Sequence, residues 1–194
     1  MLPLFPQILL ALLLLTCLTS FTWAVRNFFV RPERMTAGLR VTLLAGLAFA
    51  CLHLVVIFLT SEFFMPLVYL AAALYCLAMI IFWWAIAANR VKPLSACFTQ
   101  DEQLHLVQTG PYRLVRHPFY CAYLLTWLAA GVATRSIWLA LSFLVMFVLY
   151  RTAALNEESK FSRSSLADAY EEYRRSTGRF LPRPLKLMNS RRLH

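Results

Sequence analysis

Apolar residues fall in long blocks along this chain, with no sustained two-residue alternation of the kind strands show. Leu4 to Val25 is uncharged and about long enough to cross a bilayer. Leu39 to Thr60 is a second block, charged only at Arg40, and Leu67 to Ala88 is a third. Phe119 to Ala133 and Ile137 to Leu155 are each short of a comfortable span and are divided by Thr134-Arg135-Ser136. This punctuation predicts a tight helical hairpin whose second helix continues past the lipid into a polar tail. The pattern predicts an all-α integral membrane protein of about five transmembrane helices, the last two forming the hairpin. No basic residue precedes Leu4, and the first block is longer than a signal-peptide core, so a retained helix is predicted there.

The polar segments carry their own pattern. Asn89 to His117 is too long for a simple connector, which favours a functional loop over a cytosolic linker. Asn156-Glu157-Glu158 prolongs the last apolar helix, and Ser165-x-x-Asp168 reads as the start of another. Leu166, Tyr170 and Tyr173 then share one face, at i, i+4 and i+7. Thr177-Gly178 ends this cytosolic C-terminal helix, and Pro182 and Pro184 prevent its continuation. Two arrangements stay open for it: lying on anionic lipid, or forming a lid on the long loop.

Composition agrees with the membrane class. Hydrophobic residues make up 60% of the chain and charged residues 14%. Arg26, Arg31, Arg34 and Arg40 lie in the first loop, and Arg90, Lys92, Arg113 and Arg116 in the third. Ten more basic residues follow from Arg151 onward, and the remaining turns hold only Arg135. The positive-inside rule places the N-terminus outside and the third loop and tail in the cytoplasm. The net charge of +10 is therefore first a topology signal, and no readout element for a nucleic-acid partner accompanies it. Cys17, Cys51, Cys76, Cys97 and Cys121 are scattered without metal-ligand or disulfide spacing, so neither a metal partner nor a disulfide framework is expected.

Candidate chemistry concentrates in Gly110-Pro111-Tyr112-Arg113-Leu114-Val115-Arg116-His117-Pro118-Phe119-Tyr120. Pro118 suits a first helical turn, which puts His117 at a helix mouth with Tyr120 three residues on and facing the same side. Arg113 and Arg116 also suit headgroup anchoring, with Tyr112 and Tyr120 in an aromatic belt. Glu157 and Glu158 form a second polar cluster, about one turn beyond the lipid and level with the same mouth. His53, inside the second span, is read as a packing group before a functional one, and Trp83-Trp84 as an interface anchor.

Together these runs resemble the isoprenylcysteine carboxyl methyltransferase family, which belongs with the membrane phospholipid methyltransferases. The resemblance rests on Leu104-x-Leu106-Val107-x-x-Gly110-Pro111-Tyr112, Arg116-His117-Pro118-x-Tyr120, Glu157-Glu158, Tyr170-x-x-Tyr173 and Gly178-Arg179-Phe180-Leu181-Pro182. It implies one membrane methyltransferase domain over 1–194: three transmembrane helices in 1–88, a cofactor loop in 89–117, the hairpin in 118–155 and a tail in 156–194 that completes the site. It also implies S-adenosylmethionine as cofactor, contacted by Leu104, His105, Leu106, Val107, Tyr112, His117, Pro118, Phe119, Tyr120 and Glu158. Two positions depart from the pattern. Leu104 stands where the family often has histidine, with His105 beside it, and Ala154 stands where the family has a substrate-side arginine, with Arg151 one turn earlier.

Methyl transfer from a sulfonium is an in-line displacement, in which positioning and exclusion of water do most of the work. A carboxylate acceptor needs a cationic clamp, for which Arg151, Arg116 and Arg179 are candidates, whereas an amine acceptor needs proton removal by Glu157 or His117. The number of arginines favours carboxylate O-methylation of a lipid-like or prenylcysteine-like acceptor, with Arg151 and Arg116 in the catalytic roles. The other readings are a membrane phospholipid or amine N-methyltransferase, an NADPH-dependent enzyme resembling the sterol reductases, and a non-catalytic membrane partner protein. The expected partners are the bilayer and a lipophilic small-molecule or lipidated acceptor.

Overall fold

The computed structural model describes residues 4–29, 36–89 and 106–183. Six α-helices lie within them: α1 Phe5–Asn27, α2 Ala37–Leu59, α3 Met65–Ala88, α4 Pro118–Thr134, α5 Ile137–Phe161 and α6 Ala167–Ser176. A single 3₁₀ turn, Gly110–Arg113, precedes α4. Helices α1, α2, α3 and α5 are long and apolar enough to cross a membrane, while α4 is a shorter apolar helix of 17 residues. The chain is a multi-pass, all-helical membrane protein. Local chemistry marks the helix starts. Prolines occupy the first turns of α1, α3 and α4, where a missing N–H costs nothing, and the Thr36 hydroxyl caps α2 by accepting from Leu39 N at 3.4 Å.

Small residues bring α3 and α4 close. Ala71, Ala78 and Ala85 on α3 and Ala122, Ala129, Ala130 and Ala133 on α4 are all buried. Backbones can approach closely over such surfaces, which is how helices gain dispersion energy in lipid without a hydrophobic drive. Helix α1 adds Leu10, Leu14 and Cys17 to the same core, and Phe21 packs on Phe82 and Tyr123. Two contacts at opposite ends show that the helices alternate in direction. Gln7, at the start of α1, donates to the carbonyl of Thr60 at the end of α2, whereas Phe28 and Phe29 meet Phe119 at the start of α4.

The hairpin forms as the sequence predicts. Helix α4 stops at Arg135, which adopts a left-handed conformation (φ 54°) while its N–H still reaches Gly131 O at 2.9 Å. Helix α5 then runs on through Glu157 and Glu158 to Phe161. Helix α6 begins one residue later than its sequence signal: Leu166, not Ser165, is the N-cap, and Ser164 Oγ accepts a backbone N–H, that of Leu166, at 3.1 Å. The apolar face of α6 packs on the chain. Tyr170 stacks on Phe161 with ring centres 4.9 Å apart, and the Tyr173 hydroxyl donates to Tyr112 O at 2.6 Å. Of the two arrangements left open, the structure has the lid.

His53 finds a partner on another helix. Its Nε2 lies 2.9 Å from Ser142 Oγ, and that hydroxyl already donates to Leu139 O at 2.8 Å, so the imidazole supplies the proton to Ser142. His53 therefore fastens α2 to α5 inside the apolar core, edge-on to Trp127 at 5.2 Å. The four described cysteines, Cys17, Cys51, Cys76 and Cys121, are all free.

Candidate active site

Three pieces of chain converge at the open end of the hairpin. His117 is the N-cap of α4, one residue outside the helix, because Pro118 fixes the first helical position. Helix α5 brings Glu157 and Glu158 to the same level. After α6 the chain returns as a strap: Val115 and Gly178 form a parallel bridge, Arg116 N–H donates to Gly178 O at 2.8 Å, and His117 N–H donates to Arg179 O at 3.2 Å. Gly178 is sterically required, since an added Cβ would run into Leu181 O. Phe180 follows and packs across His117, Tyr120 and Phe147 at 6.0–6.5 Å, while its carbonyl accepts from Cys121 Sγ at 3.3 Å.

Glu158 is the hub. Its carboxylate takes Arg116 Nη2 at 2.9 Å and Nε at 3.3 Å, Arg179 Nε and Nη2 each at 2.8 Å, and sits 3.1 Å from His117 Nε2. The Arg179 contact is a two-pronged guanidinium–carboxylate pair, the strongest geometry such groups have. Arg116 is bound on its other side to the carbonyls of Thr177 and Arg174. Its buried guanidinium is thus fully committed within the chain.

Glu157 forms the other half. One oxygen accepts from the Tyr120 hydroxyl and the other lies 3.3 Å from His117 Nδ1. Its side chain is 29% exposed against 9% for Glu158, so it is the more open of the two carboxylates. The imidazole lies between them. Burial pushes the His117 pKa down, but hydrogen bonds to Glu157 and Glu158 outweigh that and hold it above its ordinary value. Tyr120 stacks on His117 at 5.5 Å and on Tyr150 at 5.4 Å, which fixes both rings.

The other expected site residues are placed unevenly. Tyr112 is buried one shell away, its hydroxyl 3.0 Å from Asn89 Nδ2. Gly110 beside it has φ 59°, and a Cβ there would lie 2.9 Å from Ala88 Cβ. Leu106 is half-buried, and Val107 packs on the aromatic cluster of α3 and α4. Leu104 and His105 lie outside the described residues. Phe119 turns away from the carboxylates, toward Phe29 at 5.1 Å and Phe82 at 5.5 Å. Arg151 is exposed on α5, with no hydrogen bond or ion pair to a described residue, whereas Ala154 is buried. Sequence reasoning missed the pairing of Arg179 with Glu158, and it missed Asn89. The Gly178 to Pro182 run was the only signal for the former.

Comparison with known proteins gives this arrangement a family. Residues 66–168 match the phospholipid methyltransferase family, and that stretch holds α4, the 3₁₀ turn, Glu157 and Glu158. The chain belongs to this family of membrane methyltransferases. It is also 37% identical over 78 residues to the cobalt-zinc-cadmium resistance protein CzcN of Cupriavidus metallidurans, covering 40% of this chain and 36% of that one. Over a stretch of the same length it is 33% identical to the nickel-cobalt-cadmium resistance protein NccN of Alcaligenes xylosoxydans xylosoxydans. The aligned stretch spans 36% of each relative. Among the described residues, no three His, Cys, Asp or Glu side chains gather as a metal site.

Proposed function

We propose that this protein transfers a methyl group from S-adenosylmethionine to a lipid-like acceptor at the membrane surface, using the cluster at the hairpin mouth. The observation that carries the reading is the convergence of His117, Tyr120, Glu157 and Glu158 in the family-matched stretch, with His117 beneath the Phe180 strap and Glu157 the more open carboxylate. The donor set fits the cofactor: carboxylates for its cationic groups and aromatic rings beside them. Bound there, S-adenosylmethionine supplies an electrophilic methyl on a sulfonium. His117, Tyr120 and Glu158 would hold it, with Tyr112, Pro118, Phe119 and the Leu104 to Val107 run shaping the surround. Arg116 then acts through Glu158, as a positioning residue.

Carboxylate O-methylation remains the preferred chemistry, because a carboxylate needs only a cation to orient it. With Arg116 and Arg179 both on Glu158, that task falls to Arg151, two turns before Glu158 and exposed toward an incoming headgroup. One observation favours amine N-methylation as the second reading. Glu157, open and bonded to the Tyr120 hydroxyl, is placed to accept a proton. The charge pattern supports an N-terminus outside and a cytoplasmic tail, so the polar cofactor would enter from the cytoplasm.

The test is purified protein in lipid nanodiscs with labelled S-adenosylmethionine, offered prenylcysteine carboxylates or amine phospholipids. Label in a base-labile ester of the carboxylate supports the reading. Cofactor binding with label only in the amine lipid transfers the assignment to Glu157. No binding of either cofactor or its demethylated product overturns both. Arg151→Leu should lower turnover and raise the apparent acceptor constant with cofactor affinity unchanged. Loss of cofactor binding instead would reverse the two sides of the site.

A further inference from the structure

Asn89, at the last turn of α3, contains a polar atom that the fold does not use. Its Nδ2 donates both protons, to Ala85 O at 2.7 Å and to the Tyr112 hydroxyl at 3.0 Å. The side chain cannot be flipped, because that would set two carbonyl oxygens against each other at the Ala85 contact. Oδ1 is therefore fixed in direction, buried, and without a hydrogen-bond partner among the described residues. Asn89 itself is 1% exposed. A buried acceptor left unmade costs about 1–3 kcal/mol, so such an atom calls for a donor beyond the described residues.

Its surroundings say which kind of donor. Ala85, Ile86, Tyr112 and Phe119 form one buried apolar and aromatic cluster there, with Val107 packed against it. The ion-paired cluster of Arg116, His117, Arg179, Glu157 and Glu158 lies at the other pole. The two poles are joined by the short Tyr112–His117 segment and by Tyr173, whose hydroxyl holds Tyr112 O. An apolar aromatic wall with one fixed carbonyl acceptor suits a flat heterocycle with an amino group on its edge, not an amino-acid end.

We propose that Asn89 Oδ1 accepts the exocyclic amino group of a purine, so that Asn89 and Tyr112 form the base end of the nucleoside cofactor's site. This rests on the cofactor reading above and adds to it a residue that sets base specificity. The full chain in nanodiscs is titrated calorimetrically with S-adenosylhomocysteine, its 6-oxo (inosyl) analogue and its 6-hydrogen purine analogue. Wild type should favour the adenosyl ligand by about tenfold or more, the worth of one buried hydrogen bond. Asn89→Leu should bind all three within about twofold of one another, the loss of that bond removing the preference. Asn89→Ala, which removes the acceptor without adding bulk, should likewise level the three affinities and serves if the leucine variant fails to fold. Equal affinities in wild type overturn the proposal while leaving the cofactor reading intact, as does a preference that survives Asn89→Leu. If wild type binds none of the three, the cofactor reading falls and this inference falls with it.

Discussion

Replacing Glu158 with glutamine keeps the shape of the hub and removes its charge. In the native structure that charge faces two guanidiniums and an imidazole, with the side chains of Glu158 and Arg116 only 9% and 6% exposed. Breaking a buried pair by neutralising one partner costs about 3–5 kcal/mol, because the other charge stays desolvated. Arg116 cannot escape, since the carbonyls of Thr177 and Arg174 hold it in place. Arg179, 28% exposed, can swing to water and adds little to the cost. If the whole loss is global, the melting temperature in detergent should fall by roughly 6–20 °C, at about 2–4 °C per kcal/mol. If the strap releases first, amide exchange should accelerate at Arg116 and His117, whose N–H groups bond Gly178 O and Arg179 O, while the interior of α3 stays protected. Hydrogen exchange with mass spectrometry and a thermal scan read both routes. A Glu158→Gln protein with unchanged melting and unchanged exchange at those two amides would refute the assignment of Glu158 as the hub.

The pKa of His117 lies above its ordinary 6.5, so the stability it supplies is fully present below that value and is lost as pH rises through the raised one. Wild type should therefore lose melting temperature as pH rises through that window and His117→Gln should not; parallel curves would remove the doubly paired imidazole. Arg135 is held at φ 54°, where a side chain costs about 1 kcal/mol, so Arg135→Gly should raise the melting temperature by roughly 2–4 °C, and a loss would show that its side chain matters more than its backbone. Single cysteines at Ser61 and Ser190, in a background without native cysteines, should label from opposite sides of the membrane, and labelling from one side ends the assigned topology.

Helices were legible because lipid demands them: an apolar block in a bilayer can satisfy its backbone only internally. The short α4 was legible as half of a hairpin, since Thr134-Arg135-Ser136 interrupts a stretch that is otherwise uninterrupted. The start of α6 was misread by one residue because a Ser-x-x-Asp pattern does not say which residue caps, and in the event neither serine caps the helix. His117, Tyr120 and the two glutamates were legible as residue types out of place at a membrane edge. What they bond to was not. The three cations around Glu158 come from the chain before α4 and from the strap after α6, and only the folded chain reveals that two arginines are already taken. Asn89 was invisible for a different reason. An asparagine at a helix end is ordinary, and its interest lies wholly in one unbonded oxygen.

The strap also explains why so charged a cluster can stand beside an apolar bundle. Arg116 and Arg179 balance Glu157 and Glu158, and His117 adds its charge according to pH, so the cluster is close to neutral as a whole. Neutrality alone would not suffice, because each buried charge still needs hydrogen bonds to replace its water. The strap supplies them: Thr177 O for Arg116, the Arg179 fork for Glu158, and the Phe180 ring as a cover over His117. Its two backbone bonds to Arg116 and His117 join residues about sixty positions apart, so the tail is tied to the mouth by main chain as well as by charge. A cationic ligand that reached Glu158 would have to take the place of Arg179, the most exposed of its three partners, because Arg116 is anchored on both sides. The carboxylate, the strap and access to the site are thus one mechanical unit, and a substitution in any of them should be felt in the other two.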